Sequence, residues 1–265
     1  TFAYTPTSAT TGASFAWSRA VVAGITEGAS SGTGAISETL TNTTTAPINV
    51  TYTYITSANG CDNTPGESVV VTVNPTPALS SSLTPADICS GDTFAYTPTS
   101  ATTGASFAWS RAVVLGISET ASSGTGAISE TLTNTTDAPI NVTYTYITSA
   151  NGCDNTPGES VVVTVNPTPV LSSSLTPADI CSGDTFSYTP TSATTGATFA
   201  WSRAVVAGIT EGASSGTGAV SETLTNTTTA PINVTYTYIT SANGCDNTPG
   251  ESVVVTVNPT PVLSS

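Results

Sequence analysis

The chain has no lysine, no histidine and no methionine, and its three arginines stand against 17 aspartates and glutamates, for a formal charge of −14. Each absence excludes something. Nucleic acid is held through Lys and Arg contacts to phosphate, which three arginines cannot supply. The same deficit disfavours an anionic membrane surface, and no run nears the roughly 20 apolar residues of a spanning helix. Neither nucleic acid nor membrane insertion of this segment is therefore expected. Serine and threonine are abundant, but no His or Lys can act as base for a nucleophile. Paired carboxylates for glycoside chemistry need a cleft that small tandem domains rarely offer. No catalytic residue is nominated, and no enzyme activity is expected. Without His and without Cys-x-x-Cys, zinc and redox centres lack their ligand patterns. Charged residues are only 8% of the chain while hydrophobic residues are 38%, so it is not a disordered acidic tail. Thr, Ser, Val and Gly dominate, favouring strands and turns over helix.

What is present is one 92-residue sequence written almost three times. Thr1-Phe2-Ala3-Tyr4-Thr5-Pro6 returns as Thr93–Pro98 and again, with Ser187 for Ala, as Thr185–Pro190. The first two copies differ at five positions: Ala23/Leu115, Thr26/Ser118, Gly28/Thr120, Thr45/Asp137 and Ala78/Val170. A period this long suits one small autonomous domain per copy rather than a solenoid coil. Near-identical copies of a catalytic site add little, whereas copies of a spacer add length. The sequence starts and stops inside a repeat, and it reads as a segment of a longer array.

Within the second copy, alternation predicts strands A (Ala78–Thr84), B (Thr93–Thr99), C (Ala105–Arg111), C′ (within Ala112–Ser118), E (Ala127–Asn134), F (Pro139–Thr148) and G (Ser160–Asn166). The third copy is expected to open with a strand near Val170–Leu175. No segment carries a 3.6-residue apolar period. About seven antiparallel strands in about 92 residues with a central tryptophan make an immunoglobulin-like sandwich. The fold class is all-β, with tandem sandwiches at 1–76 (lacking the first strand), 77–168 and 169–260, and the start of another at 261–265. Trp17, Trp109 and Trp201 are expected as core plugs on strand C. Asn-Pro-Thr-Pro (Asn74–Pro77, Asn166–Pro169, Asn258–Pro261) makes each linker short and stiff, which suits a head-to-tail rod.

Arg111 shares strand parity with Phe107 and Trp109, and Glu130 with Ile128 and Leu132. Arg111–Glu130, with Arg19–Glu38 and Arg203–Glu222, is then a partly buried bridge. If a bulge turns both side chains to water, it is a surface pair worth about 0–1 kcal/mol. Asp87, Asp92, Asp154, Glu159, Asp246 and Glu251 cluster near cysteines and are weak calcium candidates, although no Asp-x-Asp-x-Asp run is present. No other cofactor is expected. The Asn-x-Thr matches at Asn42, Asn49 and their repeats are uninformative in so Thr-rich a chain.

Five cysteines recur in two contexts, Ile-Cys-Ser-Gly-Asp (Cys89, Cys181) and Asn-Gly-Cys-Asp-Asn (Cys61, Cys153, Cys245), which points to disulfides and an oxidising, extracytoplasmic compartment. Pairing Cys89 with Cys153 inside one domain is the simplest choice. Sandwich topology opposes it, because the A–B turn and the F–G loop lie at opposite poles and a disulfide needs Cα atoms within about 7 Å. In a head-to-tail rod the A–B turn of one domain abuts the F–G loop of the next. This brings Cys89 to Cys245 and leaves Cys61, Cys153 and Cys181 with partners beyond this segment.

The ordered set Ile-Cys-Ser-Gly-Asp, Phe-Ala-Trp-Ser, Gly-Thr-Gly-Ala-Ile, Ser-Ala-Asn-Gly-Cys-Asp-Asn-Thr-Pro and Val-Thr-Val-Asn-Pro-Thr-Pro resembles the PKD-like, immunoglobulin-like repeat of giant secreted surface proteins and adhesins of gliding bacteria, often exported by the type IX system. The resemblance spans essentially the whole chain. It implies a β-sandwich stalk or filament segment without enzyme activity, lying outside the cell and projecting an adhesive or motility element. Its partners would be neighbouring repeats and other copies in a filament. The competing function is a multivalent carbohydrate- or surface-binding module.

Overall fold

The computed structural model describes residues 1–262, so of the C-terminal piece 261–265 the last three residues lie outside the described residues. The second domain shows how the alternation works. Its strands are β1 (Ile88–Cys89), β2 (Thr93–Tyr96), β3 (Ser106–Arg111), β4 (Ser122–Thr125), β5 (Ile128–Thr131), β6 (Ile140–Ala150), β7 (Cys153–Asp154) and β8 (Glu159–Asn166). Along β6, Val142, Tyr144 and Tyr146 are fully buried while Asn141 and Thr143 face water. Val161, Val163 and Val165 of β8 are equally buried beside them, each such side chain contributing about 1.5–3 kcal/mol of burial.

One sheet runs β4-β3-β6-β8-β1, with β7 folded back onto the end of β6, while β2 and β5 pair as the opposing sheet. Neighbours are antiparallel except β1, which lies parallel to β8 with Ile88 opposite Val165 and Cys89 opposite Asn166. The core between the sheets is aromatic. Phe94 of β2 stacks on Tyr144 of β6 at 5.3 Å between ring centroids, at the crossing where antibody domains carry their inter-sheet disulfide. The third domain repeats this topology, whereas the first lacks a strand equivalent to β1. Its last strand, Glu67–Val73, is accordingly less covered, with Val69, Val71 and Val73 only partly buried. Each domain has its own apolar core. The exposed area of 13918 Å² exceeds the roughly 10,600 Å² of one compact monomer of this mass and approaches the roughly 14,300 Å² of three separate domains.

Three expected elements differ. No strand forms over Ala78–Thr84 or Val170–Leu175. There the backbone makes single bonds to scattered partners, Leu79 N to a Glu159 carboxylate oxygen (2.7 Å), Ser80 N to Thr99 O (2.7 Å) and Val162 N to Leu83 O (2.9 Å). The Ser81 hydroxyl contacts Tyr96 OH at 2.6 Å and accepts from Thr99 N. Flanked by Pro77 and Pro85, the segment has donors missing at both ends and serines competing for the rest, so regular pairing waits until Ile88. The expected C′ strand over Ala112–Ser118 is also a loop. Gly116 takes φ +88 and Ile117 N closes a turn on Val114 O, and the edge strand forms later, as β4.

The tryptophans join the core as expected, Trp201 as a buried member and Trp17 and Trp109 packed against it from the flank. Trp201 is 9% exposed, Trp17 and Trp109 are partly buried, and Tyr144 occupies the middle with Trp109 edge-on to it at 5.7 Å. The indole lies across Gly124 of β4, where an added Cβ would come within 2.8 Å of the ring. Gly124→Val is expected to destabilise the domain by about 1–3 kcal/mol through overpacking. At Gly126 a Cβ meets nothing within 4 Å, so Gly126→Ala should cost only the strain of its φ of +69, about 1 kcal/mol. Equal losses in denaturant titrations would exclude the ring contact as the reason for glycine.

Candidate functional site

Among the described residues the polar chemistry gathers in two repeated places, a strut inside each domain and the junction between domains. The strut follows from strand parity. Arg111, at the end of β3, points inward and is 3% exposed. Its Nε donates to Glu130 Oε2 across the sandwich at 3.1 Å, and its other nitrogens donate to Ala112 O (3.4 Å) and Thr120 O (2.7 Å). Tyr144 OH donates to the same carboxylate oxygen at 2.6 Å, and the guanidinium lies 5.9 Å from that ring's centroid. Arg19–Glu38–Tyr52 and Arg203–Glu222–Tyr236 repeat the arrangement. The tyrosine hydroxyl is a member that sequence reading missed, because parity marks Tyr144 only as a core residue.

Burial disfavours the charged carboxylate, but surrounding donors outweigh it and hold Glu130 below the ordinary glutamate value of 4.5. Ser122 Oγ is buried without a regular hydrogen bond, yet a free hydroxyl rotor beside the charge still favours it, as do Tyr144 and Arg111. Burial together with the Glu130 contact pushes Tyr144 well above 10.0. The signs set the stability profile. A lowered Glu value contributes stability that is present above about 4.5 and lost as pH falls through the folded value. A raised Tyr value contributes stability that is present below about 10 and lost as pH rises through the folded value. With no histidine in the chain, the melting temperature should be flat from about pH 6 to 9 and fall on both sides. A slope near pH 6.5 in a calorimetric series would contradict this.

The junction is built from two poles. At one, the Asn243–Gly244 turn has positive φ at both residues (51° and 78°), as a two-residue hairpin requires, and it holds Cys245 against Ala242. At the other, β1 ends with Cys89 beside Asn166. The two cysteines form a disulfide between the second and third domains, with Cα atoms 5.6 Å apart. Cys153, in the F–G hairpin of the second domain, is unpaired, as are Cys61 and Cys181. It lies against the pole of the first domain formed by Phe2, Leu40 and Val73. Asn166 Nδ2 donates to Asn243 O (3.3 Å), and Asn74 Nδ2 makes the same bond to Asn151 O (2.8 Å) at the first junction. In the sequence these asparagines are only the first residue of the stiff Asn-Pro-Thr-Pro linker; their bond to the next domain's turn is tertiary and leaves no local signal.

The calcium candidates do not converge. No group of three or more acidic or Cys side chains forms among the described residues. Glu159 accepts from Leu79 N and Asn155 Nδ2, Glu251 accepts from Leu171 N and Asn247 Nδ2, and Asp92 accepts from Cys89 N. Asp87, Asp154 and Asp246 are exposed. Three of the six carboxylates therefore serve as backbone acceptors that fix the segments entering the second and third domains.

No curated protein matches the chain. Among solved structures it is similar to a three-immunoglobulin-domain titin variant (11% identity, 95% of this chain and 89% of that one, TM-score 0.41) and to a titin I-band fragment (11%, 95% and 89%, 0.39). It is also similar to the first two immunoglobulin domains of DIP-gamma (13%, 71% and 99%, 0.37). The PKD-like domain matches three times, over residues 2–77, 86–169 and 178–261, so the chain belongs to the PKD-like domain family as a tandem array.

Proposed function

We propose that the chain is a non-catalytic stalk or filament segment of a large secreted bacterial surface protein, extending an adhesive or motility element from the cell. The observation that carries this reading is the repetition of one junction: a Pro-stiffened linker, an asparagine bonded to the next domain's turn, and a glutamate bonded to the leading backbone. Such a joint fixes the angle between neighbours, and a fixed angle repeated makes a spacer. The disulfide suits an extracellular location, and the motif set suits type IX export from a gliding bacterium. The partners are neighbouring repeats and, in a filament, other copies of the chain.

Small-angle scattering tests the spacer. Domains of roughly 35–45 Å, set by strand length, should give an elongated particle with a radius of gyration near 35 Å, about twice the ~18 Å of a compact chain this long. A value near 18 Å would overturn the reading. Retention of the purified chain on glycans would move the function to a multivalent adhesin.

A further inference from the structure

We infer that the Cys89–Cys245 crosslink gives the array a second, shorter covalent route for tension, one that bypasses most of each sandwich. The inference rests on the stalk reading above and adds a mechanical function to it. An uncrosslinked tandem array pulled from its ends yields at its weakest domain. Drawing out about 90 residues at about 3.5 Å each gives roughly 320 Å in place of a folded domain of roughly 40 Å.

The crosslink changes the route. Tension arriving along the leading segment of the second domain reaches Cys89, crosses to Cys245, and leaves through Glu251–Asn258, which is already extended as a strand. The loop between the two cysteines, with a sequence separation of 156, lies off that route. It holds β2–β8 of the second domain and all of the third up to its F–G hairpin.

The spacing of the cysteines extends the argument along the array. Cys61 and Cys89 stand 28 positions apart, as do Cys153 and Cys181. Each interval runs from a domain's F–G hairpin through its last strand and the Asn-Pro-Thr-Pro linker to the next domain's first strand. A crosslink repeated with the period joins these intervals end to end, one for every two domains. Fully extended, 28 residues span about 95 Å, against roughly 80 Å for two folded domains. The array would stretch by about a fifth where an uncrosslinked one stretches roughly eightfold. Alternate junctions belong to two interleaved routes, so loss of one bond leaves the other intact. The sandwiches then set spacing and orientation while the disulfides carry peak force.

Single-molecule pulling of the chain by its two termini tests this, with Cys61, Cys153 and Cys181 changed to Ser so that one pair remains. Without reductant, only the first domain should release its length, and the final contour should fall short of the full chain by about 540 Å. Reductant added under tension, or Cys245→Ser, should restore that length. Full contour without reductant would overturn the inference, as would free Cys89 and Cys245 thiols on mass mapping. The scattering profile is measured independently of the crosslink, so the stalk reading can stand when the bypass fails.

Discussion

Arg111→Ala should make the second domain melt as a separate transition well below the third. The guanidinium is buried and supplies three roles at once: charge partner of Glu130, donor to the Ala112 and Thr120 carbonyls, and cation near the Tyr144 ring. Removing it leaves a mostly buried carboxylate and two carbonyls without their donor. Breaking a buried pair from one side costs about 3–5 kcal/mol, a large fraction of the 5–15 kcal/mol that typically holds a domain. At roughly 4–8 °C per kcal/mol for a domain of this size, the transition should fall by about 12–40 °C. The third domain, with its own Arg203–Glu222 pair, serves as the internal reference. Glu130→Ala should cost less, about 2–3 kcal/mol, because the arginine keeps its carbonyl acceptors and the site is partly open to water. A fall of only a degree or two for both variants would show that the pair behaves as a surface salt bridge.

Legibility in the sequence tracked how local the cause was. The all-β sandwich follows from period-2 alternation, strongest where Val142, Tyr144 and Tyr146 line one face of β6. The missing leading strand was not legible, because Leu79 and Leu83 alternate as strand residues do. Only the tertiary contacts show Leu79 N bonded to a Glu159 side chain in place of a ladder. The edge strand was misplaced for a similar reason. Val113 and Leu115 look like alternating core residues yet stand exposed, while Ser122–Thr125 carries no hydrophobic signal and is chosen because Gly124 admits the Trp109 ring. The tryptophan follows the sandwich pattern by packing on the core, but the fully buried middle belongs to Tyr144, whose hydroxyl reaches the strut carboxylate. The short β7 hairpin hides inside a segment that reads as a turn.

Reduction should weaken the second and third domains and leave the first unchanged. Cys89 lies beside Asn166, where the second domain ends, and Cys245 lies at the near pole of the third. With either domain unfolded and the other folded, the disulfide closes a chain of about 80 residues, which the chain-entropy model values at up to about 4.5 kcal/mol and measured crosslinks at about 2–4 kcal/mol. The first domain's strands, Phe2 to Val73, all precede Cys89 and fall outside the loop. Its melting should therefore be indifferent to reductant. With Cys61, Cys153 and Cys181 replaced by Ser to prevent exchange, calorimetry should show the transitions of the second and third domains dropping by roughly 8–30 °C while that of the first stays in place. If all three fall together, reduction acts on something common to every repeat. If none moves, the crosslink constrains nothing in the unfolded chain, and its contribution is confined to tension.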